Sequence, residues 1–261
     1  MPYMEDCLDW PLSRVLPLLQ QRIMEGSSYH GIPTMKSPLD FWIYQEILWE
    51  TRPAFVIELG NLCGGSTLAL AHACDALGKG KIIGIDITHA DVYPGVRAHP
   101  RITLLTGDAC EMYPTVARIV DGNDEVMVIE DSLHEYQNTL DVLRTYSPLI
   151  GIGKYFIVED SNCHHGLDVG PRPGPYEAIE TFVGMNPEFV VDRTREAYCI
   201  TWNPKGYLKR AAAEKLLKKR WPSVWKSALR RFLPRRPRKR GTPNVEKSSF
   251  FNSPLELREK C

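Results

Sequence analysis

The sequence lacks any long apolar run. Although 43% of its 261 residues are hydrophobic, no stretch approaches the roughly 18 to 20 consecutive apolar residues that a membrane-spanning helix needs. The first ten residues, MPYMEDCLDW, carry acids where a secretory signal carries bases. Both absences argue against a membrane-spanning or exported protein, and we expect a cytoplasmic location. The length suits one catalytic domain with short extensions.

Paired cysteines are also missing. The seven cysteines are scattered, odd in number and without a CxxC pair, which argues against a disulfide framework or a structural zinc site. There is no internal repeat. The cysteines are therefore interpreted as reduced thiols, mostly in the core.

The formal net charge is zero, but the charge is unevenly distributed. Residues 211–240 hold twelve Lys or Arg and a single acid, Glu214. We predict a basic amphipathic extension over 209–240 and a mobile tail over 241–261. The extension suits an anionic membrane surface, peripheral to the inner membrane, or a lipid-linked glycan. A nucleic acid is a less favoured partner, and a solvated helix used for subunit packing explains the composition equally well.

Residues 1–50 are predicted to form a helical N-terminal lid segment, and residues 51–208 a catalytic core. In the core, short β-branched runs alternate with helix-length amphipathic stretches, which indicates βα units and a mostly parallel sheet. These runs are AFVIEL, KIIGIDI, RITLLTG, EVMVIED and YFIVED. Two later runs, 189–192 and 197–203, are predicted to pair as a terminal antiparallel hairpin. The expected fold is α/β, a Rossmann-like class I S-adenosylmethionine methyltransferase with seven strands and helices on both faces.

The first βα turn is rich in glycine and lacks the GxGxxG spacing that a dinucleotide requires. It reads ExGxxxGGS, a longer loop that leaves room for an aminoacyl chain, and the helix after it offers free N–H groups to a carboxylate. The spacing favours S-adenosylmethionine over NAD. The candidate cofactor-binding residues of this turn are Glu58, Gly60, Asn61, Gly64, Gly65 and Ser66.

Two further acids close the next two strands. Asp86 can bind the ribose hydroxyls, although an acid at this position serves NAD as well. Asp108 can accept a hydrogen bond from the adenine amino group. The alternative for Asp108 is that it caps the helix that follows.

Acid clusters end two later strands. If those strands are neighbours, Asp131, Glu159 and Asp160 converge at the carboxyl edge of the sheet. Three carboxylates suit Mg²⁺, or Mn²⁺, better than zinc. Two adjacent hydroxyls of a substrate can chelate such a metal, which lowers the pKa of the attacked oxygen.

His134 follows Asp131 by three residues and is the candidate general base, with Asp131 beside it in the catalytic pair. The alternative is a histidine that caps a helix or holds Asp131 in place. Glu130 is expected to face away from the site, because adjacent strand residues point in opposite directions. A second metal site at His164 and His165 is disfavoured, because neighbouring histidines diverge.

Several unlinked motifs between about Pro38 and Arg210 resemble the cephalosporin hydroxylase and rhamnosyl O-methyltransferase family, which includes metal-dependent macrolide-sugar O-methyltransferases. They are Lys36 to Trp42, Glu58 to Ser66, Asp131 to His134, Val158 to Asn162, Pro173 to Ala178 and Thr201 to Leu208. The resemblance implies that Asp131, Glu159 and Asp160 bind magnesium, that His134 deprotonates a sugar hydroxyl, and that the protein is a homo-oligomer.

The chain departs from the family at Leu133, where relatives often have a second Asp, and at Glu130, where an apolar residue is usual. The expected activity is methyl transfer from S-adenosylmethionine to a hydroxyl of a deoxysugar-like glycosyl acceptor, in natural-product or cell-surface glycan tailoring. The alternatives are a catechol-type small-molecule O-methyltransferase with the same metal and a non-catalytic cofactor-binding or tethering protein.

Overall fold

The computed structural model describes residues 2–212. Nearly all of the basic segment 211–240 and the whole tail 241–261 lie outside the described residues, as do the membrane, glycan and mobility predictions made for them. Across the described part of the chain, every helix is too short or too polar to cross a bilayer.

The N-terminal segment is mostly helical. A 3-10 helix at Met4–Cys7 precedes α1 (Leu12–Gly26), a two-stranded ribbon of β1 (Ser28–Tyr29) and β2 (Ile32–Pro33), and α2 (Pro38–Thr51). Helix α2 begins where the sequence provides a cap: the Ser37 hydroxyl accepts a hydrogen bond from the Asp40 amide at 3.3 Å, and Pro38 takes the first helical position.

A seven-stranded sheet forms the centre of the chain. Its strands are β3 (Phe55–Leu59), β4 (Lys81–Asp86), β5 (Ile102–Thr106), β6 (Val126–Glu130), β7 (Tyr155–Val158), β8 (Phe189–Val191) and β9 (Tyr207–Arg210). The order is β5-β4-β3-β6-β7-β9-β8, in which β3 to β7 are parallel and β9 is antiparallel to both neighbours. The predicted sheet is confirmed.

Helices cover both faces of this sheet. They are α3 (Gly65–Leu77), α4 (Pro94–Arg97), α5 (Ala109–Val120), α6 (Tyr136–Tyr146) and α7 (Pro175–Met185). One core packs α5, α6 and α7 against the sheet through residues such as Val116, Leu143 and Phe182. A second core packs α2 and α3 on the other face through residues such as Ile47 and Leu70. Burial on both faces explains why the parallel strands are continuous apolar runs.

The predicted hairpin partner of β8 is wrong. Residues 197–203 form no strand; β8 instead pairs with β9 after a loop that includes a 3-10 helix at Arg193–Arg195. Cys199 adopts a left-handed φ of 62°, and the Trp202 amide donates to the Asp40 carboxylate at 2.9 Å rather than to a neighbouring strand. Side-chain contacts with α2 therefore override the local strand propensity of this run.

Asp40 joins the start of α2 to this loop and to β9. Its buried carboxylate accepts hydrogen bonds from the Thr201 hydroxyl, the Trp202 amide and the Tyr207 hydroxyl, the last at 2.7 Å. Asp40→Ala is expected to lower the free energy of unfolding by about 3 kcal/mol, because three donors lose their acceptor in the interior. Chemical denaturation measures this change, and Asp141→Ala, on the surface of α6, is the control. Equal stability of the two variants would contradict the role of Asp40.

Candidate active site

The turn between β3 and α3 requires glycine at Gly60. Its φ is +89°, and a Cβ atom there would lie 1.9 Å from the carbonyl oxygen of Asp131. The approach is this close because β3 and β6 are parallel neighbours and the Asp131 amide donates to the Leu59 carbonyl at 2.8 Å. The glycine-rich turn and the first acid of the carboxylate cluster are therefore in direct backbone contact.

Glu58 holds this turn from beneath. Its fully buried carboxylate accepts hydrogen bonds through Oε2 from Asn61 Nδ2 at 3.0 Å and from the Thr67 hydroxyl at 2.5 Å. Burial raises the pKa of Glu58, while the nearby Lys36 ammonium opposes that rise. The carboxylate thus fixes the conformation of the turn.

A cavity of about 500 Å³ lies over the carboxyl ends of the parallel strands, a volume within the range of small-molecule sites. Six of the eight predicted cofactor residues line it: Gly60, Asn61, Gly65, Ser66, Asp86 and Asp108. Glu58 and Gly64 are outside the lining, and their contact with a cofactor stays a prediction.

Both strand-end acids also serve the local structure. Asp86 Oδ2 accepts from the amides of Asn61 and Leu62 at 2.8 and 3.1 Å, so it holds the turn and faces the cavity at once. Asp108 Oδ1 accepts from the amides of Cys110 and Glu111 at 2.8 and 3.0 Å. Asp108 therefore caps α5, as the alternative interpretation predicted, and it also lines the cavity.

A carboxylate and histidine cluster stands at one end of the cavity. Asp131, His134 and Asp160 each place one ligand atom within 4.8 Å of the other two. His134 Nε2 is 3.1 Å from Asp160 Oδ2 and 4.0 Å from Asp131 Oδ1. All three line the cavity, so the predicted base and two predicted metal ligands meet beside the predicted cofactor residues.

The third predicted ligand, Glu159, lies next to Asp131 because β6 and β7 pair, but it points to a partner that sequence reasoning missed. Lys36 Nζ is 2.5 Å from Glu159 Oε1, 2.6 Å from Asp131 Oδ2 and 3.8 Å from Glu58 Oε1. Burial lowers the pKa of Lys36, but the three carboxylates outweigh burial and raise it overall. The only sequence signal was the position of Lys36 within a family motif.

Burial and mutual repulsion disfavour the charged forms of the acids in this cluster. Burial and the Asp131 charge raise the pKa of Asp160 to about 6, against the attraction of His134. The same two causes raise the pKa of Glu159, against the attraction of Lys36. Buried carboxylates in this state are stabilised by a cation, and oxygen donors suit Mg²⁺ or Mn²⁺. The donor set therefore fits a divalent ion.

Glu130 faces away from this cluster, as expected. It accepts hydrogen bonds from the Ser132 hydroxyl at 2.6 Å and from Asn138 Nδ2 at 3.3 Å, and burial raises its pKa to about 8. His164 and His165 diverge, bonding to Asp168 and Glu177 respectively. Within residues 2–212, no metal-binding group of side chains includes either histidine.

The strand order, with a cofactor-sized cavity over the carboxyl ends of the parallel strands, defines the class: a class I S-adenosylmethionine methyltransferase fold. The chain belongs to the rhamnosyl O-methyltransferase/CmcI family, whose family model matches residues 21–211. This membership makes it an S-adenosylmethionine-dependent O-methyltransferase.

Curated relatives agree with this assignment, and a solved structure agrees with the fold. A rhamnosyl O-methyltransferase of Mycobacterium tuberculosis is 33% identical over 193 residues, covering 70% of this chain and 78% of the relative. One of Mycobacterium leprae is 34% identical over 198 residues, covering 72% and 85%. An apo structure of CmcI superposes with a TM-score of 0.56 at 23% identity, covering 78% of this chain and 86% of CmcI, which supports the fold.

Gly60→Ala is expected to lower the free energy of unfolding by at least about 2 kcal/mol, because a side chain is strained at positive φ and its Cβ overlaps the Asp131 carbonyl. The same displacement should weaken S-adenosylmethionine binding. Chemical denaturation and calorimetry measure the two effects. Gly184→Ala is the matched control, since an added Cβ there meets no atom of the described residues within 4 Å apart from its chain neighbours and the nearby backbone of its own helix; equal behaviour of the two variants would refute the close-contact argument.

Proposed function

We propose that this protein transfers a methyl group from S-adenosylmethionine to a hydroxyl of a deoxysugar-like glycosyl acceptor, with the help of Mg²⁺ or Mn²⁺. The observation that carries the proposal is the cluster of Asp131, His134 and Asp160 in the wall of the same cavity as the glycine-rich turn. The residues assigned to the cofactor and those assigned to acid–base chemistry thus line one cavity.

The cofactor is assigned to the side of the cavity formed by the turn. Gly60, Gly65 and Ser66 leave room for the aminoacyl chain, and the N-terminus of α3 attracts its carboxylate. Asp86 binds the ribose and Asp108 the adenine. When bound, S-adenosylmethionine supplies the electrophilic methyl group.

The metal is assigned to Asp131, Glu159 and Asp160, which end the adjacent strands β6 and β7. When bound, a divalent ion lowers the pKa of an acceptor hydroxyl and fixes its position. The three carboxylates would hold the ion at one end of the cavity, so that an acceptor hydroxyl bound to it would be within reach of His134.

His134 is assigned as the general base. Its Nε2 faces Asp160 Oδ2 at 3.1 Å, about one third of its side chain is exposed, and the residue lines the cavity. A neutral imidazole in that position accepts the hydroxyl proton as the methyl group transfers. The carboxylates of Asp160 and Asp131 then stabilise the imidazolium that forms.

The sugar acceptor is proposed from the curated relatives, which are named rhamnosyl O-methyltransferases. A catechol-type acceptor is the second candidate, because the exposed apolar side chains of Met24, Met35 and Leu133 also line the cavity. The two acceptors differ in whether the group next to the reacting hydroxyl is a sugar ring or an aromatic ring.

A panel of acceptors tests the proposal. Purified protein, saturated with S-adenosylmethionine and Mg²⁺, is offered a rhamnoside, its singly deoxygenated analogue and a catechol, and the products are identified by mass spectrometry. We expect methylation of the rhamnoside and much less methylated product with the deoxygenated analogue. Methylation of the catechol alone would replace the sugar assignment with the second candidate. Calorimetry with NAD in place of S-adenosylmethionine is the cofactor control.

A further inference from the structure

Lys36 places a buried positive charge inside the carboxylate cluster. The side chain is only 7% exposed, and its ammonium nitrogen lies at hydrogen-bond distance from Asp131 and Glu159, at 2.6 and 2.5 Å. Glu58 contributes a third carboxylate at 3.8 Å. The Oε1 atom of Glu58 is buried and has no hydrogen-bond partner among residues 2–212, and the Lys36 ammonium compensates its charge from that distance.

The ammonium nitrogen of Lys36 lies among carboxylate oxygens that are also assigned to the metal ion. It bridges one oxygen from the end of β6 and one from the end of β7, the two strands whose acids are assigned to the metal. A buried ammonium is stable only with such partners, and the buried carboxylates repel one another without it. The Lys36 ammonium and a divalent ion therefore compete for the same carboxylate oxygens.

We propose that Lys36 is a positioning residue that acts as an internal counter-ion: it holds Asp131 and Glu159 together before the metal binds and competes with the metal for them. The inference rests on the proposed function, since it takes these carboxylates as metal ligands. It assigns to the N-terminal lid segment a direct part in setting the affinity of the site for its metal.

The segment that carries Lys36 is placed to do this. The Lys36 amide donates to the Thr34 carbonyl at 2.8 Å, and Thr34 packs so closely on α3 that a Cβ on Gly65 would lie 1.8 Å from its hydroxyl oxygen. Met35 and Lys36 both line the cavity. The backbone of the segment is thus anchored on the cofactor turn, while the long side chain reaches the metal end.

The test is a titration of the full chain with Mn²⁺. Electron paramagnetic resonance measures the free ion, and neither acceptor nor turnover is needed. Lys36→Met should bind Mn²⁺ at least about tenfold more tightly than wild type, because it removes both a competitor and a repulsive charge next to a dication. Lys36→Arg, which keeps the charge, should stay close to wild type. The matched control is Lys79→Met, which removes the ion pair with Glu125 at the opposite end of the sheet.

A gain of affinity cannot result from damaged folding, so it separates competition from a merely structural role. Unchanged or weaker Mn²⁺ binding by a Lys36→Met protein that still binds S-adenosylmethionine would overturn the inference alone. Failure of wild type to bind Mn²⁺ would overturn it together with the metal assignment. If Lys36→Met is unfolded without metal, refolding on Mn²⁺ addition supports the counter-ion role and no refolding refutes it.

Discussion

Asp160→Ala is expected to abolish methyl transfer, with a loss of at least about a thousandfold in kcat/KM, while S-adenosylmethionine binding is retained. Asp160 faces His134 at 3.1 Å and shares the cluster with Asp131. The variant removes a proposed metal ligand and the carboxylate that stabilises the imidazolium, two effects that each contribute several kcal/mol to a transition state.

Product formation by mass spectrometry and calorimetry with S-adenosylmethionine measure the two halves of this result. Asp141→Ala, which removes a carboxylate from the surface of α6, is the control and should keep full activity. Normal turnover by Asp160→Ala would contradict the metal mechanism. Loss of cofactor binding as well would point to a general structural role for Asp160.

His134→Ala is expected to lower kcat by about a hundredfold to ten-thousandfold, the range that general acid–base catalysis contributes. Metal and S-adenosylmethionine binding should persist, because the carboxylates and the glycine-rich turn remain. The pH profile of the remaining activity is the most informative readout: the variant should lose the limb of the wild-type profile that reports the base.

The control for this variant is His99→Ala, the same substitution between α4 and β5, where His99 pairs with Asp75 near the C-terminal end of α3. Undiminished turnover by His134→Ala across the pH range would remove His134 as the base. Loss of Mn²⁺ binding in this variant would instead make His134 a metal ligand, which its place in the donor set also permits.

The parallel strands could be predicted because burial on both faces requires continuous apolar runs, which β3 to β7 display. Their parallel pairing then brings the acids that follow them to one edge, which is why the sequence could predict that Asp131 and Asp160 lie close together. The second strand of the hairpin was predicted wrongly because a tertiary contact overrides the local sequence pattern. Residues 197–203 have strand composition, but the Asp40 side chain of α2 binds Thr201 and Trp202 and keeps the run in a loop.

Lys36 could not be found by pattern. Its partners lie 95 and 123 residues away in the sequence, and a lysine near the start of a helix normally reaches solvent. The folding of the N-terminal segment over the glycine-rich turn directs its side chain inward. The contact of Glu58 with the cofactor stays a prediction; in the structure its carboxylate accepts hydrogen bonds from Asn61 and Thr67.

The most direct test of sugar methylation with a metal is a chelation and recovery assay on one preparation. Protein that has been freed of metal and shown by calorimetry to bind S-adenosylmethionine is incubated with a rhamnoside, first alone and then after Mg²⁺ is restored. The account predicts that the mass gain of one methyl group appears only after Mg²⁺ is restored. Equal methylation without metal, or none under either condition with the cofactor bound, would contradict it.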